Sequence, residues 1–159
     1  PASRAEKKVR DRLEELGVEC FLPVQTVLRQ WTYRKSRVVV PVIAGLVFVR
    51  VGRQEQVKVL QTKGVVAFLR LKGEAGAAVI PDKQMEDFRF LLDFSEEAVE
   101  MTNENIKAGD LVRVVKGSLR GMEGELIRHK GVTKVLVRID MLGCAMVNIP
   151  ASFVEKLNK

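Results

Sequence analysis

The stretch 108–128, AGDLVRVVKGSLRGMEGELIR, decides the fold of the C-terminal part of the chain. Val112 and Val114 alternate with Arg113, which is the period of a strand with one buried face. Similar short alternating stretches follow as far as residue 150 and are separated by turns that contain glycine. Several short strands this close together indicate a small, strongly bent all-β barrel over residues 106–159.

The three glycines of this stretch, 117, 121 and 124, raise the alternative of a phosphate-binding loop. Their spacing, G-x-x-x-G-x-x-G, matches neither the P-loop pattern G-x-x-x-x-G-K-S/T nor the dinucleotide-binding pattern G-x-G-x-x-G. No long helix follows whose N-terminal N–H groups could hold a phosphate. We therefore interpret these glycines as turn and bend residues of the barrel.

Three helices are predicted in the N-terminal part of the chain. The first begins at Ser3, where S-x-x-E has the spacing of a capping box, and ends at Gly17. Its apolar face consists of Val9, Leu13 and Leu16. A short helix over 54–62 is expected to turn Val57 and Leu60 inward. The third helix opens at Pro81–Asp82, and its apolar residues at helical spacing are Met85, Phe88, Leu91 and Leu92.

The remaining N-terminal segments read as strands. Their β-branched content predicts strands at 18–23, 24–31, 37–40, 45–51 and 64–71. Helices that alternate with strands in this order indicate an α+β domain, in which an antiparallel sheet packs against helices.

Charge divides the chain, whose formal net charge is +7, into three blocks. Residues 1–95 carry 17 Lys/Arg against 11 Asp/Glu, and residues 106–159 carry 10 against five. Between them, 96–105 (EEAVEMTNEN) holds four Glu and no basic residue. We expect a domain over 1–95, a flexible acidic linker over 96–105 and the barrel over 106–159. The basic blocks are either solvated surfaces or faces for a polyanion such as nucleic acid.

The sequence contains no recognisable pattern for a metal site, a cofactor site or a catalytic site. Cys20 and Cys144 are far apart, without a C-x-x-C pair, and His129 is the only histidine. We therefore expect two buried reduced thiols, no metal and no cofactor. No nucleophile, base and orienting residue recur in a recognisable arrangement, so an enzyme is not expected.

We expect neither a membrane-spanning helix nor an export signal in this sequence. The most apolar run, 38–51, is shorter than the roughly 18 residues of a spanning helix, and Pro41, Gly45 and Arg50 interrupt it. The polar start of the sequence does not read as a signal peptide. We expect a cytoplasmic monomer without a membrane partner.

The stretch 108–128 also carries a recognisable motif. The pattern is GD-x-V-x-V, followed by three spaced glycines and an aliphatic residue, and it falls on Gly109, Asp110, Val112, Val114, Gly117, Gly121 and Gly124. This pattern resembles the KOW motif of the NusG family of transcription elongation factors. Four N-terminal segments resemble that family's N-terminal domain in the same order: GVECFLPV (17–24), PVIAGLVFVR (41–50), TKGVVAFL (62–69) and IPDKQMEDF (80–88). The resemblance implies a ferredoxin-like NGN fold followed by an SH3-like KOW barrel.

The sequence departs from the family pattern in two places. Where the family has Phe-Pro-Gly-Tyr, this chain has Ile43-Ala44-Gly45-Leu46, which is closer to specialised paralogues such as UpxY-type antiterminators of capsular polysaccharide operons. The strand that normally precedes the first helix in the family has no counterpart after residue 1. We expect that first strand to be missing from the sequence at hand.

The resemblance implies that the N-terminal domain binds RNA polymerase through an apolar depression. The matching positions are Phe21, Ile43, Leu46 and Phe48. Such side chains would bury against a partner helix. The alternative is that all four belong to the core.

A basic segment with interleaved aromatic residues is the candidate nucleic-acid-binding site. It contains Arg29, Trp31, Tyr33, Arg34, Lys35 and Arg37. Guanidinium groups pair with phosphates and aromatic rings stack on unpaired bases. The resemblance implies contact with non-template DNA, with nascent RNA as the other candidate. The rival interpretation is a solvated hairpin tip.

In the KOW domain, Leu119 and Met122 lie at a turn that presents apolar side chains to partners in relatives. The resemblance implies Rho or a ribosomal protein as that partner, and the alternative is that both residues cap the barrel. Arg113, Arg120, Arg128, Lys130 and Lys134 either bind RNA or keep the domain soluble.

We therefore expect a transcription elongation or antitermination factor whose N-terminal domain binds RNA polymerase and whose KOW domain recruits a second partner. The alternative is a ribosome- or RNA-associated KOW-containing RNA-binding protein.

Overall fold

The computed structural model describes residues 5–30, 35–69 and 76–157; at 27–30, 36 and 38 it describes the backbone alone. The chain divides into two compact units, residues 1–78 and residues 79–159.

The first unit is α+β. Its elements are α1 (Glu6–Glu15), β1 (Glu19–Phe21), β2 (Val24–Gln30), β3 (Lys35–Pro41), β4 (Phe48–Arg50) and α2 (Arg53–Gln61). β1 pairs with β4, and β2 pairs with β3, both antiparallel, in two separate two-stranded sheets. The core of this unit consists of Val9, Leu13, Val18 and Val59.

Helix α1 ends where the sequence predicted, at a left-handed glycine. Gly17 has φ +77°, and its N–H donates to the carbonyl of Glu14 at 3.0 Å. The N–H of Val18 donates to the carbonyl of Leu13, also at 3.0 Å. These two bonds form a Schellman motif, whose apolar contact is supplied by Leu13 and Val18 in the core. Leu16, predicted on the apolar face, is instead the exposed C-cap residue because the helix ends before it.

Two predictions for the first unit are wrong. No strand forms at 64–69, the described part of the predicted strand 64–71. Its N–H and C=O groups meet no neighbouring strand among the described residues, and a strand needs a partner. Helix α2 buries Val59, while Val57 and Leu60 are 55% and 45% exposed. In a nine-residue helix, a few apolar residues do not define which face meets the core.

The second unit begins with a helix and continues as an antiparallel sheet. Its elements are α3 (Asp82–Phe94), β5 (Glu100–Thr102), β6 (Asp110–Val114), β7 (Glu123–His129), β8 (Val132–Ile139), β9 (Gly143–Asn148), a 3-10 turn (Ala151–Phe153) and β10 (Val154–Lys156). The sheet order is β10-β6-β7-β8-β9-β5. The predicted fold class, an α+β N-terminal region followed by an antiparallel β region, is confirmed.

The KOW-motif residues shape the start of this sheet in three ways. Val112 and Val114 are buried, as their alternation predicted. Gly117 and Gly121 have φ +86° and +95° in the turn after β6. Gly109 and Gly124 instead lie against neighbouring strands. A Cβ at Gly124 would lie 2.9 Å from the carbonyl oxygen of Leu136, so only glycine fits there without a shift.

The structure places two segments differently from the predicted domain boundaries. Helix α3, predicted within the domain 1–95, lies in the second unit, where Phe88 and Leu91 are fully buried. Strand β5 lies inside the predicted linker 96–105, and its residues Glu100–Thr102 pair with Cys144–Met146 of β9. This part of the linker is therefore built into the sheet.

Candidate functional site

Two of the predicted polymerase-binding residues form one aromatic pair. Phe21 of β1 lies directly opposite Phe48 of β4 in the strand register. Their ring centroids are 6.1 Å apart and the rings are inclined by 26°, a stacked arrangement of the kind that adds about 1 kcal/mol to area burial. Both side chains are half-buried. The pair therefore belongs partly to the packing of this unit and partly to its surface.

The other two, Ile43 and Leu46, lie on the connection 42–47 between β3 and β4. Both are half-buried, whereas Ala44 is exposed. Gly45 has φ +73°, so the connection turns through a left-handed residue that a β-carbon would strain. Its ends are anchored: the N–H of Val42 donates to the carbonyl of Pro23 at 2.8 Å, and Val47 packs against the core.

The candidate nucleic-acid-binding residues lie on and around the β2–β3 hairpin. In its register Arg29 is opposite Ser36, and Gln30 is opposite Lys35. Lys35 and Arg37 are exposed on β3. Trp31, Tyr33 and Arg34 lie outside the described residues, as does the side chain of Arg29.

The structure adds one cation to this surface that sequence reasoning missed. Lys7 of α1 is exposed, and its Nζ donates to the carbonyl of Val39 on β3 at 3.5 Å. Val39 follows Lys35 and Arg37 at period two on β3, so these residues share one strand face. No local pattern links Lys7 to this strand, because 32 residues separate it from Val39.

The two structural units differ in net charge. Residues 1–78 carry 15 Lys/Arg against seven Asp/Glu, a net charge of +8. Residues 79–159 carry 12 against 13, a net charge of −1. The excess of positive charge therefore belongs entirely to the unit that holds the basic hairpin.

The predicted KOW partner residues lie in the interior. Leu119 and Met122 are 6% and 4% exposed. Both backbone polar groups of Met122 are hydrogen-bonded: its carbonyl accepts from the N–H of Val114, and its N–H donates to the carbonyl of Leu119. This burial contradicts the prediction that the two side chains face a partner. It agrees with the alternative in which they pack into the barrel.

Charged contacts hold the segment 100–109 on the sheet. The buried Lys134 donates from Nζ to Glu100 at 3.0 Å. Arg138 donates to the carbonyl of Ile106 at 2.8 Å and to Glu125 at 2.7 and 3.1 Å. The hydrogen bonds that Arg138 donates to Glu125 raise the pKa of its guanidinium. Glu125 also accepts from the N–H of Gly109 at 3.0 Å, so one carboxylate joins β7 to β8 and to the entrance of β6.

The basic residues of the second unit, for which the sequence predicts RNA binding or a role in solubility, fall into two groups. Arg113 is paired with Glu123 at 2.9 Å, and Lys134 is paired with Glu100. Arg120, Arg128 and Lys130 are exposed.

Both cysteines are free thiols in the structure, with Cys144 buried and Cys20 partly buried. Burial raises the pKa of each thiol, which disfavours the reactive thiolate. Within the described ranges, His, Cys, Asp and Glu form no group of three able to hold a metal ion. Among the same residues, no helix combines the length and the apolar character needed to cross a bilayer.

A family model described as "Transcription termination factor nusG" matches residues 2–89, more than half of the chain. The chain belongs to the NusG family. Like other members, it is a non-enzymatic transcription factor of the elongation and antitermination type.

Two solved structures of the NusG/Spt5 family are similar to the chain. One is a structure titled for the domain interaction in Thermotoga maritima NusG, and its sequence is 23% identical to this chain. The match covers 98% of this chain and 93% of that chain, with a TM-score of 0.49. The other is a crystal structure of an MjSpt4:Spt5 complex, 17% identical, with coverages of 99% and 92% and a TM-score of 0.24. No curated protein matches the chain. The family assignment therefore depends on the family model.

Proposed function

We propose that this NusG-family protein binds RNA polymerase through Phe21, Ile43, Leu46 and Phe48. The observation that carries the proposal is the partial exposure of all four side chains. The core of the same unit is formed by Val9, Leu13, Val18 and Val59, each no more than 3% exposed. The four residues therefore retain apolar area that a partner helix could bury.

Nucleic acid is the second partner proposed for this unit. The net charge of +8 and the exposed Lys35 and Arg37 support binding to a polyanion beside the polymerase, either non-template DNA or nascent RNA. Lys7 extends the same surface from α1. The protein would then act mechanically, holding polymerase and nucleic acid together in the cytoplasm and suppressing pausing.

The second unit would recruit a further protein, with Rho or a ribosomal protein as candidates. Because Leu119 and Met122 are buried, such a partner would contact other residues of the sheet. The aliphatic sequence at 43–46 supports a specialised role within the family, of the UpxY type. We propose that these functions divide along the chain at the boundaries 1–95, 96–105 and 106–159, although α3 and β5 pack within the second structural unit.

The test of polymerase binding is the double substitution Ile43→Glu and Leu46→Glu. Affinity for purified RNA polymerase is expected to fall at least about tenfold, since each introduced carboxylate would have to be desolvated in an apolar contact. Val57→Glu is the matched control, because Val57 is 55% exposed in the same unit. Equal affinity of the double variant and the control would refute the binding surface. Recovery of ribosomal RNA, without polymerase, on the tagged wild-type chain would favour the ribosome-associated alternative.

A further inference from the structure

One carboxylate lies in the interior of the first unit. Glu6, the first residue of α1, is 4% exposed. Its Oε2 accepts a hydrogen bond from the backbone N–H of Gly45 at 3.2 Å, across 39 residues of sequence. Removing a carboxylate from water is costly, and an apolar residue would fill the same place without that cost. The choice of glutamate therefore needs a reason beyond packing.

The hydrogen bond between Gly45 and Glu6 holds the connection 42–47 at its turn. Val42 is fixed by the carbonyl of Pro23, and Val47 is fixed by the core. Between these two anchors, the contact from Glu6 is at the left-handed Gly45. Ile43 and Leu46 lie on either side of the anchored N–H. The position of Gly45 thus sets how both side chains are displayed.

Glu6 lies in the first turn of α1, where an oxygen acceptor is favoured because the free N–H groups of that turn are close by. Helix α1 is itself anchored to the core through Val9 and Leu13. Glu6 therefore connects a fixed element to the turn of a surface connection.

We propose that Glu6 is a positioning residue, which holds the connection 42–47 in the conformation that displays Ile43 and Leu46 to RNA polymerase. This inference rests on the proposed function, since it assigns to Glu6 the geometry of that binding surface. Glu6 itself is too buried to contact the polymerase.

The experiment compares Glu6→Ala, Glu6→Asp and Glu6→Gln with the control Glu15→Ala, which changes an exposed residue of the same helix. Two quantities are measured: hydrogen exchange of the Gly45 amide by NMR, and affinity for purified RNA polymerase. Glu6→Ala removes the acceptor, and Glu6→Asp shortens its reach. Both are expected to accelerate Gly45 exchange and to weaken polymerase binding about tenfold.

Glu6→Gln separates positioning from charge, because its side-chain oxygen can still accept from Gly45. It is expected to keep affinity within about threefold of wild type, as is Glu15→Ala. If Glu6→Ala does not fold, the contrast between Glu6→Asp and Glu6→Gln decides the question. Faster Gly45 exchange with unchanged polymerase affinity would overturn the role of Glu6 and leave the proposed function standing. A wild-type chain that does not bind polymerase would overturn both.

Discussion

Gln84 of α3 and Asp140, which follows β8, hold each other through two hydrogen bonds. The side-chain Nε2 of Gln84 donates to Oδ1 of Asp140 at 2.9 Å, and the backbone N–H of Asp140 donates to Oε1 of Gln84 at 2.7 Å. Together with the fully buried Phe88 and Leu91, this pair makes α3 part of the second unit.

Gln84→Ala should therefore lower the free energy of unfolding of the second unit by about 1 kcal/mol, because the variant can form neither hydrogen bond. Urea unfolding of the full chain measures it. Lys83→Ala is the control: it removes an exposed ion pair with Asp87, which is worth only about 0.3–0.5 kcal/mol. Equal losses for the two variants would show that the reciprocal pair adds nothing to α3 packing.

Glu100→Ala tests whether β5 is part of the sheet or part of a flexible linker. The substitution leaves the buried ammonium of Lys134 without the carboxylate that lies 3.0 Å away. A loss of more than about 1 kcal/mol in unfolding free energy is expected, since a buried charge left unpaired is strongly destabilising. Glu96→Ala, an exposed residue of the same acidic stretch, should change stability by less than about 0.5 kcal/mol. A neutral Glu100→Ala variant would favour a detached, flexible linker.

The contact between Glu104 and His129 should appear in the acid dependence of stability. Nε2 of His129 lies 3.1 Å from Oε2 of Glu104, and this hydrogen bond lowers the pKa of Glu104 below its ordinary value of 4.5. A lowered carboxylate pKa stabilises the folded state above pH 4.5, and that stability is lost as the pH falls through the folded-state pKa.

Glu104→Gln is therefore expected to flatten the fall in unfolding free energy on the acid side of that value. Denaturant unfolding across an acidic pH series measures this slope, with Glu96→Gln as the charge-matched control. An acid slope identical to that of wild type would contradict the assignment.

Lys35, Arg37 and Lys7 should contribute electrostatically to nucleic-acid binding. Replacing Lys35 and Arg37 by Ala is expected to weaken binding of single-stranded DNA by about 3- to 30-fold at low salt. The slope of log K against log salt should decrease by about 0.7 for each phosphate that the variant no longer neutralises. Adding Lys7→Ala should reduce the slope further. Lys58→Ala, an exposed cation on α2, is the control, and an equal effect of that substitution would indicate a diffuse charge effect without a defined surface.

Local pattern was sufficient for much of the fold. The alternation at Val112 and Val114 predicted buried strand positions, and Gly17 predicted the end of α1. In both cases the information lies within a few neighbouring residues, because helix and strand periods and left-handed caps are local properties of the backbone.

Other features depended on partners far along the chain. Residues 64–69 have strand-forming composition but pair with no strand in the part of the chain that the structure describes. Glu100–Thr102, inside the predicted linker, pairs with β9. For Leu119 and Met122 the sequence leaves open a partner-facing turn or a cap of the barrel, and both side chains are buried. Strand pairing and burial depend on which segments contact each other in the folded chain, and local composition does not specify those contacts.

The sequence by itself determined the fold class, the family and the location of the apolar and basic segments in the first unit. Only the tertiary structure showed that Glu6 bonds to Gly45 and that Lys7 reaches β3. The physical reason is that a hydrogen bond across 32 or 39 residues leaves no periodic trace. It exists because the core fixes α1 beside these strands, which sets the geometry of the surface that we propose for the polymerase.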